Sequence, residues 1–237
     1  MSISLRPYLN IGRRIGQNLL AQDCLLCQAG SDGELLCRAC AHELPSVASA
    51  CPRCASPGSG NVECGACIAD PPHYEASYTA FAYAYPLDAL IQAFKYGGQL
   101  ALAGLFAREL HRRIGRALGP DLIVPMPLHP QRLAERGFNQ AAEIAKVLSR
   151  LCGIAMDAQF ARRVRNTAPQ AALPWRERAT NMRRAFACVR DLAGLNIAVV
   201  DDVMTTGATL NEFAHTLKRS GAARVENWVV ARTTRGV

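Results

Sequence analysis

An α/β protein, with a mostly parallel sheet flanked by helices and a small cysteine-rich module ahead of it, is the fold class that this sequence predicts. Three observations predict it. Eight of the ten cysteines lie before Ala69. Strand-like and helix-like apolar runs alternate from residue 75 onward. Residues 196–210, NIAVVDDVMTTGATL, join an apolar run to a helical pattern through a polar, glycine-containing turn. Alternation of this kind builds parallel sheets, whose ligands lie beyond the carboxyl ends of the strands.

The cysteine module comes first. Cys24, Cys27, Cys37, Cys40, Cys51, Cys54, Cys64 and Cys67 form four Cys-x2-Cys pairs. That spacing lets two thiolates and the neighbouring N–H groups wrap one tetrahedral ion, for which zinc is the usual choice. Nine residues separate Cys27 from Cys37, and nine separate Cys54 from Cys64, so one pattern is written twice. Sequential use of the pairs makes two separate zinc units, whereas pairing first with third and second with fourth interleaves them. Spacing alone leaves both open.

A disulfide framework would instead need an oxidising compartment and a secretion signal. Arg13 and Arg14 interrupt the apolar core that a signal peptide in residues 1–20 would require, and no stretch approaches the length of a membrane span. The expectation is a cytoplasmic protein with structural zinc in a module over residues 20–70 and a second domain over residues 75–237.

Charge singles out one stretch. The chain carries a net +8, yet the residues up to Cys67 hold five basic and five acidic side chains. Between Phe160 and Arg190 stand eight arginines, Arg162, Arg163, Arg165, Arg176, Arg178, Arg183, Arg184 and Arg190, against Glu177 alone. Thr167, Pro169 and Pro174 break any long helix there, so the stretch reads as a loop facing a polyanion.

The elements of the second domain follow in order. Within residues 71–86, residues 78–85 alternate as a β-strand. Residues 87–94 have helical spacing, Lys95-Tyr96-Gly97-Gly98 reads as a turn, and residues 100–118 repeat apolar positions three and four apart. DLIVPMP, residues 121–127, is a continuous apolar run suited to a strand buried on both faces. A loop over residues 128–139 leads into a helix over residues 139–151. Residues 196–203 form the clearest strand, residues 209–219 a helix stopped at Gly221, and RVENWVVAR, residues 224–232, a last strand.

The chemistry concentrates where strand 196–203 ends. Asp201 and Asp202 leave the core together, and paired carboxylates can accept bonds from a ribose diol or hold Mg²⁺. Thr205, Thr206, Gly207, Ala208 and Thr209 then offer hydroxyls and N–H donors at a helix amino terminus, a cradle for phosphate. Neither Gly-x4-Gly-Lys-Ser/Thr nor Gly-x-Gly-x2-Gly after a strand occurs, which removes the other common phosphate loops.

Four apolar residues, two acids, two variable positions and Thr-Thr-Gly-x-Thr match the phosphoribosyl pyrophosphate signature of type I phosphoribosyltransferases without a gap. Joined to the cysteine module and to LIVPMPLHPQRLAERGFNQAAEIA, the chain resembles the ComF family of competence and GntX-like proteins. The resemblance implies a type I phosphoribosyltransferase-like domain over residues 75–237 and a double zinc ribbon over residues 20–70. It implies that Asp201 and Asp202 meet the ribose hydroxyls and Mg²⁺, and that residues 205–209 hold the 5-phosphate. The loop over residues 128–139 resembles the pyrophosphate loop, with Arg132, Arg136, Gly137 and Asn139 as candidates and Arg136 among the catalytic groups. Lys95 is a further candidate, weighed against a solvated turn lysine.

The arginine stretch corresponds to the mobile flap of that fold, with Arg165 and Gln170 able to reach ligand. The resemblance further implies glycosyl transfer at ribose C1 to an acceptor that the sequence does not reveal. It also implies a place in DNA uptake, with single-stranded DNA and a helicase as partners. The rival expectation is an accessory protein that senses phosphoribosyl pyrophosphate and binds zinc and single-stranded DNA without catalysis.

Overall fold

Strand β1 (Ala76–Ala82) and strand β2 (Leu122–Pro125) form the two edges of a four-stranded parallel sheet. Between them lie β6 (Arg224–Arg232) and β5 (Asn196–Met204), in the order β1-β6-β5-β2. The computed structural model describes residues 23–115, 119–164 and 185–233. Two units make up the chain, Met1–Leu44 and Pro45–Val237.

The first unit holds Cys24, Cys27, Cys37 and Cys40, with the short helix α1 (Arg38–His42) starting at Cys37. The second unit holds the other tetrad, Cys51, Cys54, Cys64 and Cys67, with α2 (Gly65–Ala69) starting at Cys64. Pairing is therefore sequential. The repeat in the sequence is also a repeat in backbone geometry. Gln28 N–H donates to Cys24 O at 2.9 Å, and Ala55 N–H donates to Cys51 O at 2.8 Å. Gln28 and Ala55 both take positive φ, 62° and 54°, which turns the chain sharply after the second thiol of each knuckle.

In the second unit, α3 (Leu87–Tyr96) and α4 (Leu102–Ile114) follow β1, and α4 packs beside α6 (Gln140–Cys152). The loop expected over residues 128–139 contains a helix, α5 (Pro130–Arg136). Pro130 opens it at the position where a missing N–H costs nothing, and Gly137 closes it at φ 78°. The turn expected at residues 95–98 begins later, since Lys95 and Tyr96 form the last turn of α3.

Helix α7 (Ala208–Arg219) covers one face of the sheet, where Phe213 and Leu217 share a core with Ile197, Val199, Val225 and Val229. A short antiparallel hairpin, β3 (Ala161–Arg163) with β4 (Phe186–Cys188), contributes Phe186 to the same core. Residues of a parallel sheet covered on both faces should be apolar nearly throughout. Ile197, Ala198, Val199 and Val200 are all fully buried. The carboxyl ends of β2 and β5 lie side by side, because Pro125 pairs with Val200 and Met126 N–H donates to Val200 O at 2.8 Å.

Candidate phosphate and ribose site

Beyond those strand ends lies a cavity of about 370 Å³ lined by Lys95, Arg132, Arg163, Asp201, Thr205, Gly207 and Thr209, with Tyr83, Gln92 and Tyr96 among its other walls. Cavities of about 740 and 870 Å³ open elsewhere on the chain, but neither is lined by Asp201 or by any of Thr205, Thr206 and Thr209. Chemistry therefore identifies the site better than size does.

The two acids are split by the pleat, since successive strand residues face opposite sides of a sheet. Asp201 turns into the cavity, half-buried, and its carboxylate accepts the N–H of Asp202 at 2.9 Å. Burial, and then the charge of Asp202, push its carboxyl up from 3.8 to about 7. A group that poorly solvated gains from a cation or from hydroxyl donors, which is what a metal-bound ribose provides. Asp202 is buried and its carboxylate lies 3.0 Å from Lys95 Nζ. Burial alone would lower the ammonium, but the charge and hydrogen bond of Asp202 raise it above its ordinary value. Lys95 is thus a paired cation in the wall of the site.

The threonine loop folds as its residues require. Gly207 sits at φ 85° as the amino-terminal cap of α7, and a β-carbon there would meet Met204 Cε at 2.7 Å and Tyr74 Oη at 3.1 Å. Thr206 Oγ1 accepts the N–H of Ala208 at 3.3 Å. Thr205, Gly207 and Thr209 line the cavity, while Thr206 and Ala208 shape the turn between them.

Of the second loop, Arg132 reaches the cavity. Arg136 stands behind the wall, donating to Gln140 Oε1 at 3.1 Å and to Tyr96 Oη at 3.2 Å, with its guanidinium 5.2 Å from the Tyr96 ring centre. Asn139 spans two elements: its Nδ2 donates to Met126 O at 3.1 Å and its Oδ1 caps α6 at Ala142 N–H, 3.3 Å away. Arg165 and Gln170 lie outside the described residues, as does the rest of the stretch 165–184 expected to form the flap.

One site residue escaped the sequence reading. Arg163, noted there only as part of a charge run, is buried on β3, lines the cavity and stacks 5.8 Å from the Phe186 ring centre. Burial, and then the nearby Arg132, lower its pKa. Two guanidiniums brought to one cavity opposite Asp201 favour an anion between them. Strand placement, not charge density, was the missing signal.

The thiol clusters fit zinc. Cys27 Sγ lies 3.7 Å from Cys37 Sγ, and Cys54 Sγ lies 3.7 Å from Cys64 Sγ. Zinc–sulfur bonds of about 2.3 Å give a tetrahedral edge of about 3.8 Å. Burial raises the Cys24 thiol, but main-chain N–H groups around it outweigh that effect and bring it down to about 6. Cys64 falls to about 7 by the same balance. Each tetrad therefore contains one thiol that ionises readily, and the thiolate is the form that binds metal.

Residues 15–68 match the family model of the double zinc ribbon domain, and residues 133–236 match that of the phosphoribosyl transferase domain. The chain is 37% identical over 205 residues to the DNA utilization protein YhgH of Salmonella typhi, covering 84% of this chain and 90% of that relative. It is 31% identical over 210 residues to Competence protein F of Haemophilus influenzae, covering 83% and 90%. Against Competence protein ComFC of Bacillus subtilis the identity is 28% over 217 residues, covering 84% and 85%. Among the described residues no helix is long and apolar enough to cross a membrane.

Proposed function

Because the chain belongs to the ComF family and pairs a double zinc ribbon with a phosphoribosyltransferase domain, we propose that it binds phosphoribosyl pyrophosphate with Mg²⁺ and transfers the phosphoribosyl group to an acceptor. One observation carries the reading: Asp201 and the threonine loop share a cavity with Arg132 and Arg163, so ribose-binding and anion-binding groups face one space.

In this reading the N–H groups and hydroxyls of residues 205–209 hold the 5-phosphate at the amino terminus of α7. Asp201 accepts from the ribose hydroxyls and, with Asp202, offers the carboxylates for Mg²⁺. Bound Mg²⁺ supplies charge neutralisation at the pyrophosphate. As the C1–oxygen bond breaks, its electrons leave with the pyrophosphate and the acceptor's lone pair forms the new bond to C1. Arg132 and Arg163 offset the charge that develops on the departing group, and Asp201 steadies the ring as it becomes cationic. Arg136 acts from behind the wall by holding Tyr96 in place.

The test is calorimetric titration with phosphoribosyl pyrophosphate and Mg²⁺, beside an assay of pyrophosphate release across nucleobases and nucleic acids. Asp201→Asn with Asp202→Asn should remove binding while leaving the circular dichroism spectrum unchanged. Unchanged affinity in that double variant would overturn the site assignment, and absence of release with every acceptor would sink the transferase.

Similarity to a DNA utilization protein and to competence proteins supports a second reading, in which ligand occupancy is sensed and the protein serves DNA uptake by binding single-stranded DNA or a helicase. The arginines between Phe160 and Arg190 other than the buried Arg163 are the groups suited to a phosphate backbone. Affinity for single-stranded DNA should then fall with salt on a log–log slope of about −0.7 per phosphate contacted. A flat salt response, or binding that survives charge reversal at Arg162 and Arg165, counts against it.

A further inference from the structure

Arg232 is fully buried at the end of β6. Its Nε donates to Cys54 O at 2.9 Å, and its Nη1 donates to Met204 O at 3.1 Å, to Thr205 O and to Thr233 O at 3.2 Å. One guanidinium thus joins the main chain of a metal ligand to the first turn of the threonine loop. Other ties run alongside it. Ser77 N–H of the edge strand β1 donates to Pro52 O at 3.0 Å, inside the Cys51–Cys54 knuckle. Arg53 Nη1 donates to Tyr74 O at 3.4 Å, and Tyr74 Oη in turn lies against Gly207. Cys51, Cys54 and Cys67 belong to the same buried core as Met204, Leu210 and Phe213.

We infer that Arg232 is a positioning residue that fastens the threonine loop to the second cysteine tetrad, so that metal held by Cys51, Cys54, Cys64 and Cys67 sets the order of that loop. Naming the loop a ligand site rests on the reading proposed above; the mechanical link does not. A buried guanidinium is costly unless its donors are paired, and the Nε and Nη1 donors of Arg232 are paired with main-chain carbonyls. The carbonyls it needs come from the Cys51–Cys54 knuckle, whose thiols would hold the ion, and from the loop that must hold still to receive a phosphate. Releasing the ion frees the Cys54 carbonyl, loosens Arg232 and with it Met204 and Thr205. Among the described residues, none of the hydrogen bonds that make this linkage involves Cys24, Cys27, Cys37 or Cys40.

Hydrogen exchange read by mass spectrometry on the full, zinc-loaded chain tests the link without any ligand. Peptides covering residues 204–210 should exchange about tenfold faster in Arg232→Lys and in Cys54→Ser, as expected when charged hydrogen bonds that hold a loop are lost. Peptides covering residues 197–200 should keep their protection in Arg232→Lys. Cys27→Ser should leave residues 204–210 at the wild-type rate. Wild-type exchange of the loop in Arg232→Lys overturns the inference, and so does equal acceleration across residues 197–200 or acceleration by Cys27→Ser. Should a variant fail to fold, the wild-type chain stripped stepwise by a chelator decides: loop exchange that rises with loss of the second tetrad's metal supports the link, and loop exchange indifferent to it refutes the link. A chain that bound no phosphoribosyl pyrophosphate would sink the functional reading and leave this one standing.

Discussion

Cys24, Cys27, Cys37 and Cys40 repeat the spacing and the knuckle geometry of Cys51, Cys54, Cys64 and Cys67, yet the two sets have different surroundings. In the first set only Cys24 is buried, whereas in the second only Cys64 is not. At matched positions within the repeat, Leu26 and Leu36 of the first ribbon stand where the second has Arg53 and Glu63. The second ribbon also covers the open edge of β1 and shares its core with α7 and with Met204 at the end of β5. Ligand spacing specifies the metal, and the residues between the ligands specify what the metal supports. A repeated motif can therefore keep every thiol while one copy becomes a structural part of the domain that follows it.

The largest effect that would break this comparison is on stability. Cys51→Ser should cost the unit Pro45–Val237 about 4 kcal/mol or more, since a lost structural metal is among the severest single changes. Cys24→Ser should leave that unit's unfolding within about 0.5 kcal/mol of wild type, because the two changes share no partners. Calorimetric unfolding of both variants decides it, and equal losses would erase the distinction between the ribbons.

Next in size is Gly207→Val. Its backbone at φ 85° suits glycine, and the added β-carbon would press on Met204 and Tyr74, both of which tie the loop toward the second ribbon. A cost of about 2–3 kcal/mol follows for a β-branched side chain forced into that region. Chemical denaturation measures it. A near-neutral result would mean that the loop yields easily and is not held from the ribbon side.

How much of this was legible in the sequence differs by residue. The string from Asn196 to Thr209 announced strand, acids and cradle because one contiguous segment carries all of them. The last strand was legible as an apolar run, but Arg232 at its end reads as a solvent-facing terminus. Only the fold reveals that carbonyls of Cys54 and of Met204 and Thr205, from two distant segments, meet it there. Arg163 was hidden in the same way, inside a charge run whose direction no periodicity reports. Helix α5 could have been found, since Pro130 at its start and Gly137 after its end are ordinary helix punctuation around a very short segment. Cysteine pairing was undecidable from spacing, because alternating and sequential use place identical demands on each Cys-x2-Cys pair.

Asp201→Asn sharpens the ligand side of the comparison through pH. The folded chain keeps a proton on Asp201 up to about 7, while an ordinary carboxyl loses it near 3.8. Between those values the folded state binds more protons than the unfolded state, so this group makes stability fall as pH rises through the window. The asparagine variant should therefore melt a few degrees higher than wild type at pH 8 and at the same temperature near pH 3, where both forms are neutral. Affinity of the wild type for Mg²⁺ with phosphoribosyl pyrophosphate should rise as pH passes about 7, since cation and proton compete for one carboxylate. A variant that melts lower at pH 8 would show that the Asp201 charge stabilises the fold, contrary to its burial.

The smallest effect lies on the ribbon that does the most. Arg53 Nε meets Glu63 Oε1 at 2.9 Å, with the arginine side chain 27% and the glutamate 39% exposed. A pair so open to water should contribute only about 0.5 kcal/mol, and Glu63→Gln should lower stability by no more than that. Leu36, at the matched position of the first ribbon, is buried. Leu36→Ala should accordingly speed zinc release from the first tetrad, while Glu63→Gln leaves release from the second unchanged. Stopped-flow chelation of the two variants separates the cases: if Glu63→Gln speeds release as much as Leu36→Ala does, then the second ribbon holds its metal through its own surface pair, and the domain core around Cys51, Cys54 and Cys67 is not what secures it.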